Sequence, residues 1–334
     1  MRRTEDIQGL SGCRGLWGQA KLGLRRLLQW TGRPWVRRVV TVFLTLFAVA
    51  GIAVMLYANW DSLRAMEFQI RPVPLLLSFL AYTLALAFVV LAWIQMMTAL
   101  GSTAKWREHL RVYCVANLAR RVPGILWHVV GRVALYDHDR SSIGVISLAS
   151  GLELALMAVS GLMIGVLAWP GMALDLIQPV WIAGVIILGL AVVHPRVLGV
   201  PLRWARAQGQ HGSEMELNYG QVLGWLLLYG GSWIAGGTVL FALIDTLYPL
   251  PLNQLPLTVG AWCLSGMVSV IAAFLPVGFG LRELALGLLL ASYLPSGLAI
   301  VVALLARLLL IGFELVWALL ALLIGRESRE VVRK

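Results

Sequence analysis

Two short segments bring charged residues into otherwise apolar parts of this chain. The first, ARRVPGILWHVVGR (119–132), contains three arginines, a histidine and a Pro-Gly pair. The second, FLPVGFGLRE (274–283), joins a break rich in Pro and Gly to an arginine and a glutamate. A charged side chain at the centre of a membrane helix costs about 2.5–3.5 kcal/mol on insertion scales, so such residues face the protein interior and serve a function or pair. Both segments are therefore candidate functional sites.

The backbone of the two breaks favours the binding of an anion. Pro123 and Pro276 each remove a backbone donor, and glycines permit tight turns at three positions, Gly124, Gly278 and Gly280. Non-helical backbone at membrane depth is tolerated only inside protein or beside a water-filled cavity. The helix that begins after each break points the positive end of its dipole into that cavity.

The charged side chains beside the breaks indicate what this anion is. Guanidinium groups bind phosphate through paired hydrogen bonds. We therefore expect Arg132 and Arg282 to hold a phosphate attached to a lipid, while His128 and Glu283 shape or neutralise the site. Arg121 is either a further ligand or a topology signal at the membrane interface.

Three more charges, Glu153, Arg307 and Glu314, lie within predicted spans and are expected to gate or brace the site. One interpretation is that they form structural ion pairs between helices, for example Glu153 with Arg307. Pairing of Arg282 with Glu314 is a second example of this interpretation. The alternative is that these residues coordinate a headgroup or a proton.

No metal site, cofactor or catalytic residue is expected. The isolated cysteines Cys13, Cys114 and Cys263 lack metal-binding or redox spacing. Four further histidines are interpreted as surface residues: His109, His138, His194 and His211. A transporter is favoured, while an intramembrane transferase that uses His128 with a carboxylate stays open as an alternative.

The composition identifies a membrane protein. Of 334 residues, 60% are hydrophobic and only 13% are charged, against about 25% charged in soluble domains. The net charge of +11 is explained by cytoplasmic loops and contact with anionic lipid, so no nucleic-acid partner is expected.

The hydropathy pattern predicts an all-α polytopic protein of six to eight transmembrane helices. Continuous spans are expected at 38–58, 74–99, 141–167, 177–193, 219–244 and 297–324. Two further apolar stretches, 108–136 and 257–294, are interrupted by the breaks, and they either cross the membrane twice or dip in and return. Small residues in YGGSWIAGGT (229–238) are expected to allow close helix packing.

The distribution of Lys and Arg places both termini in the cytoplasm, and we expect a multi-pass protein of a bacterial inner membrane. A basic N-terminal tail, 1–37, is either an interfacial helix or a disordered topology signal. The transmembrane domain covers 38–325 and is followed by a cytoplasmic tail, 326–334.

The spans divide into halves of about 38–170 and 177–324 that have the same order of elements. Each half has two spans, a broken hairpin and one more span, so the second half is inverted relative to the first. Broken segments at matching places of an inverted repeat indicate a transporter's binding site. The alternative is an eight-span bundle with two kinked helices and no symmetry.

The segments NLARRVPGILWHVVGRVALY and FLPVGFGLRELALGLLL resemble the two signature segments of the flippase-like integral membrane family, which includes the transmembrane region of lysylphosphatidylglycerol synthases. The first pattern is matched by Pro123, Gly124, Trp127, His128, Gly131 and Arg132. The second is matched by Pro276, Gly278, Gly280, Arg282 and Glu283, with Val277 where the family usually has glycine. The resemblance covers about residues 40–325.

The resemblance implies movement of a lipid between membrane leaflets. We expect a stand-alone member without the soluble synthase domain, which binds an anionic phospholipid or a polyprenyl-phosphate-linked lipid. The alternative is a scaffold or accessory subunit for a separately encoded lipid-modifying enzyme or glycosyltransferase.

Overall fold

The computed structural model describes residues 71–118, 127–168, 179–194, 218–273 and 280–331, together with isolated positions between 50 and 60. The tail 1–37 and most of the predicted span 38–58 lie outside these residues. So do five residues that the sequence assigned to the site or the breaks: Arg121, Pro123, Gly124, Pro276 and Gly278.

All the regular structure in the described ranges is helical, which confirms the all-α prediction. Apart from a 3-10 turn at Leu252–Gln254, the helices are α1 Pro72–Ala99, α2 Trp106–Leu118, α3 Trp127–Leu135, α4 Ile143–Ala168, α5 Pro179–Val192, α6 Tyr219–Leu247, α7 Leu255–Ala273, α8 Leu281–Leu290 and α9 Ser296–Val331.

Four of these helices are long and apolar enough to cross a membrane: α1, α4, α6 and the Ser296–Ile324 part of α9. The chain is therefore a membrane-embedded helical protein. The described part of the predicted span 177–193 is α5, whose 14 residues are fewer than the roughly 20 that a crossing needs. The helix α9 continues to Val331, into the segment predicted as a separate tail.

Both broken stretches consist of two helices, as predicted. The first stretch contains α2 and α3, and the second contains α7 and α8. Their lengths are 13 and 9 residues for the first and 19 and 10 for the second. Because α2, α3 and α8 are each shorter than a full crossing requires, these elements suit the interior of the bundle.

Local sequence explains where several helices begin. Pro72 lies in the first turn of α1, where its missing N–H leaves no hydrogen bond unmade. Asn218 and Gln221 form a capping box at the start of α6. Gly280, predicted as a hinge, precedes α8 with φ of 96°, a conformation that side chains with a Cβ atom rarely adopt.

The helices α1 and α6 form the most extensive contact between described elements. The helix α4 packs on α7, while α2 packs on α9. Glycines bring α6 close to α7, as the small residues of 229–238 predict. A Cβ atom at Gly237 would lie 2.5 Å from the Cα atom of Val259, so no larger residue fits without moving the helices apart.

Candidate functional site

Arg132 of α3 and Glu153 of α4 form an ion pair in the interior of the bundle. Each side chain is only 1% exposed. The guanidinium also lies 3.4 Å from the hydroxyl oxygen of Ser150. Removing two charges from water is costly, and the Nε atom of Arg132 is buried without a hydrogen-bond partner among the described residues.

Aromatic side chains surround this pair. The guanidinium carbon of Arg132 lies 3.9 Å from the ring centre of Trp93 and 4.6 Å from that of Tyr113. Such positions are favourable because the ring face carries negative charge density. The hydroxyl of Tyr113 donates to the second oxygen of Glu153 at 2.6 Å. Both carboxylate oxygens therefore have a donor.

A second group of buried polar side chains adjoins the first. The indole nitrogen of Trp93 donates to the hydroxyl oxygen of Tyr136 at 2.8 Å, and that oxygen lies 2.7 Å from Nδ1 of His109. Because an indole can only donate, the hydroxyl hydrogen of Tyr136 remains available to His109. The prediction that His109 is a surface residue is wrong: it is fully buried, because its helix α2 packs against α3 and α9.

The second broken stretch also carries an ion pair, but the acidic and basic residues are exchanged between its two helices. Glu283 of α8 pairs with Arg307 of α9, so here the helix after the break supplies the carboxylate and the following span supplies the arginine. The side chains are 8% and 16% exposed, respectively. The neighbouring Arg282 lies over the ring of Trp262 at 4.3 Å.

These residues line a small cleft with a free volume of about 20 Å³. Its lining consists of Trp262, Arg282, Glu283, Leu286, Ala303, Ala306, Arg307 and Leu310. The charged groups in this lining are two arginines and one glutamate. The Oε2 atom of Glu283 is buried and has no hydrogen-bond partner among the described residues.

The two ion pairs therefore differ in whether their charged groups border a cleft. The Arg132–Glu153 pair is sealed, and both of its carboxylate oxygens accept hydrogen bonds. The Glu283–Arg307 pair borders a cleft, where it adjoins a second arginine and leaves one carboxylate oxygen without a donor. Among the described residues, the second of the two places predicted from the sequence borders a cleft.

The observed ion pairs differ from the pairing of Glu153 with Arg307 that the sequence suggested. Glu153 pairs with Arg132 and Arg307 pairs with Glu283, rather than Glu153 with Arg307. Each observed pair joins the helix after a break to the next span, and these helices are adjacent in both space and sequence. Pairing of Arg282 with Glu314 stays a prediction; Glu314 is partly buried in α9.

His128 lies in the first turn of α3 and is partly buried. The exposed His138 agrees with its prediction as a surface residue, while His194 packs against the ring of Tyr219 at 5.2 Å. His211 lies outside the described ranges. Within those ranges, no group of three or more His, Cys, Asp or Glu side chains is arranged to hold a metal ion.

Sequence reasoning missed the aromatic residues that position the charges, above all Tyr113 and Trp262. One signal was present for the first group. His109 and Tyr113 are four residues apart and therefore lie on the same face of α2, the face that the structure buries. Trp262 gave no comparable signal, because its contact with Arg282 depends on the packing of α7 against α8.

No model of a known protein family matches the chain, and no curated protein is significantly similar to it. The relation to the flippase-like integral membrane family, suggested by the two segments around the breaks, therefore stays a prediction.

Proposed function

We propose that the chain binds an anionic lipid in the cleft between α8 and α9 and moves it between the leaflets of the membrane. The observation that carries this proposal is the grouping of charged side chains at this cleft. Two arginines and one glutamate line an opening inside an apolar helical bundle. Guanidinium groups that border a pocket in an apolar interior are suited to bind an anion.

The chemistry of the lining suits a phosphate that is attached to a hydrocarbon chain. Guanidinium groups bind phosphate oxygens in a paired geometry, and the indole of Trp262 positions one of these groups, that of Arg282. The side chains of Leu286 and Leu310 offer apolar surface beside the charges. An amphipathic lipid presents both kinds of surface, whereas a free inorganic anion presents only one.

In this proposal Arg307 binds the phosphate, although the sequence suggested that it gates or braces the site. Arg132, expected to bind the phosphate, does not do so. Arg282 and Arg307 hold the phosphate, and Glu283 holds Arg307 in place until the lipid arrives. Arg132 is sealed against Glu153, Trp93 and Tyr113, so in this conformation it braces the first half of the bundle.

The proposal includes an inverted repeat, in which α1 to α4 correspond to α6 to α9. Support comes from the packing: α2 contacts α9 and, at the corresponding place, α7 contacts α4. The central contact, between α1 and α6, joins two helices that correspond to each other. Corresponding ion pairs also join α3 to α4 and α8 to α9. Such symmetry lets one half open as the other closes.

The proposed membrane and class of lipid are inferred from the sequence. The distribution of basic residues and the two family-like segments support a bacterial inner membrane and an anionic phospholipid or polyprenyl-phosphate-linked lipid as cargo. The partner is then the lipid itself.

A flipping assay in reconstituted vesicles tests this function. Vesicles carry phosphatidylglycerol with a fluorescent acyl chain, and a membrane-impermeant reductant bleaches only the outer leaflet. Wild-type protein is expected to make nearly all of the fluorescence accessible, whereas Arg282→Gln and Arg307→Gln slow this at least about tenfold because each removes a phosphate ligand.

The matched control is Arg140→Gln. Arg140 lies between α3 and α4, is 50% exposed and pairs with Glu108 of α2 and with Asp137, away from the lining of the cleft. The Arg140→Gln variant should flip lipid as fast as the wild type does. Equal rates for the two cleft variants and the wild type, with all proteins folded, would contradict the proposal.

A further inference from the structure

The indole of Trp262 joins an arginine of the cleft to a glycine of a different helix. We infer that Gly236 of α6 is a positioning residue for Arg282: it leaves room for the indole, and the indole holds the guanidinium beside the cleft. This inference rests on the proposed function, because Arg282 is one of the phosphate ligands in that proposal.

The edge of the indole lies against the backbone of α6. A Cβ atom at Gly236 would lie 2.3 Å from Nε1 of Trp262, 2.9 Å from Cε2 and 3.1 Å from Cδ1. These atoms belong to the five-membered ring, so this ring occupies the space that a side chain would need. Any residue larger than glycine at position 236 therefore has to displace the indole or move α6 away from α7.

The face of the same indole lies against Arg282. The guanidinium carbon is 4.3 Å from the ring centre, a distance at which an arginine is attracted to the negative face of the ring. Trp262 and Arg282 both line the cleft. The indole thus contacts α6 through its edge and the arginine of α8 through its face, so a shift of the ring changes both contacts.

The packing around Trp262 leaves the indole little room to move. Its side chain packs against two clusters of buried apolar residues, one shared by α6, α8 and α9 and the other containing Val259 and Cys263. A closely packed side chain moves only when its neighbours also move. A displacement of the ring by a side chain at position 236 is therefore passed on to the guanidinium of Arg282.

The position of this guanidinium matters because arginine has a long and flexible side chain. Holding such a side chain still when a ligand binds costs conformational entropy. A ring that orders the guanidinium beforehand lowers this cost. Loss of the contact should therefore weaken lipid binding although every phosphate ligand is still present.

Gly236 extends the site beyond the second broken stretch. Its helix, α6, lies outside that stretch and forms the most extensive contact between described elements, with α1. The position of Arg282 therefore depends on how α6 packs against α7.

A double-mutant cycle tests the inference, with the dissociation constant of short-chain phosphatidylglycerol measured by native mass spectrometry of the purified protein. Gly236→Ala and Trp262→Leu are each expected to weaken binding at least about threefold, because each removes the contact between the ring and Arg282. The double variant is expected to bind no more weakly than Trp262→Leu. The control Gly224→Ala, which meets open space in α6, should bind as the wild type does.

The cycle separates a positioning role of Gly236 from a purely structural one. If Gly236 only lets α6 pack on α7, Gly236→Ala weakens binding by the same factor with and without the indole, and this result would overturn the inference. Binding equal to that of the wild type in a folded Gly236→Ala protein would overturn it as well.

The same variants decide the matter if Gly236→Ala does not fold. Removing the indole should then restore folding, because the added Cβ atom clashes with the ring, and the double variant should bind as Trp262→Leu does. A double variant that does not fold, although Trp262→Leu folds, would place the clash elsewhere and overturn the inference.

Arg282→Gln separates failure of this inference from failure of the proposed function. Binding by Arg282→Gln that is as tight as in the wild type contradicts the proposed function. Weaker binding by Arg282→Gln, together with wild-type binding by Gly236→Ala, overturns the positioning role alone. In the Arg282→Gln protein, Gly236→Ala should weaken binding no further, because the group that it positions is gone.

Discussion

The guanidinium of Arg132 and the carboxylate of Glu153 form an ion pair in which each side chain is 1% exposed. Around this pair, two aromatic rings face the guanidinium and a tyrosine hydroxyl donates to the carboxylate. The pair therefore joins α3 to α4 and braces the first half of the bundle. The Glu283–Arg307 pair joins α8 to α9 with its charges exchanged and borders a cleft.

Removing one partner of the sealed pair should be strongly destabilising. Arg132→Gln or Glu153→Gln leaves an uncompensated buried charge, so we expect each to lower the free energy of unfolding by about 3–5 kcal/mol. Unfolding of the purified protein in detergent micelles measures this. The double change of Arg132→Met with Glu153→Leu should recover most of the loss, because it leaves no unpaired charge.

Arg71→Gln is the control for this prediction. Arg71 pairs with Asp245 at 2.9 Å, but its side chain is 47% exposed, so its loss should cost no more than about 1 kcal/mol. If Arg132→Gln lowers the free energy of unfolding as little as Arg71→Gln does, the Arg132–Glu153 pair contributes little to stability.

The hydroxyl of Tyr113 should contribute measurably to the same brace. Tyr113→Phe leaves one oxygen of Glu153 without its donor, so the free energy of unfolding should fall by about 1–3 kcal/mol. Tyr248→Phe, at a residue that is 43% exposed, serves as the matched control and should be neutral. A Tyr113→Phe protein as stable as the control would show that another group satisfies the carboxylate.

Close packing of α6 on α7 predicts opposite effects at two glycines of α6. Gly237→Ala would place a Cβ atom 2.5 Å from the Cα of Val259, and we expect a loss of about 1–3 kcal/mol from overpacking. Gly224→Ala meets open space and should be neutral or stabilising by up to about 1 kcal/mol. Thermal unfolding of the two variants side by side checks this, and equal midpoints would disprove it.

Gly280 should not tolerate a side chain. Its φ of 96° is unfavourable for any residue with a Cβ atom, so Gly280→Ala should cost about 1–2 kcal/mol and disturb the start of α8, where Arg282 and Glu283 lie. We expect lower stability together with slower lipid flipping. Gly312→Ala meets open space in α9 and should change neither measurement; the same behaviour in Gly280→Ala would contradict the expectation.

The orientation of the bundle can be tested by labelling with a membrane-impermeant maleimide. His138 and Asn253 are both exposed, and the distribution of basic residues predicts that the first lies in the cytoplasm and the second outside. In a Cys13→Ser background, whose remaining cysteines Cys114 and Cys263 are buried, Asn253→Cys should react in intact cells. His138→Cys should react only after the membrane is opened. Reaction of both residues in intact cells would disprove this topology.

Much of this molecule follows from local properties of the sequence. Runs of apolar residues predict the helices α1, α4, α6 and α9, and Pro and Gly predict the division of the two broken stretches. The sequence predicts a hinge at Gly280, and this residue has a positive φ. These predictions succeed because the length and hydropathy of a segment, and the backbone limits of Pro and Gly, depend on only a few neighbouring residues.

The sequence also determined which charges lie in the membrane, but only the tertiary structure decided how they pair. Arg132 finds Glu153 21 residues away, and Arg307 finds Glu283 24 residues away. The rotation and depth of each helix against its neighbours fix these partners, together with the burial of His109 and the contact of Trp262 with Arg282. Such relations are set by packing across several helices at once, so the pattern along any one helix does not determine them.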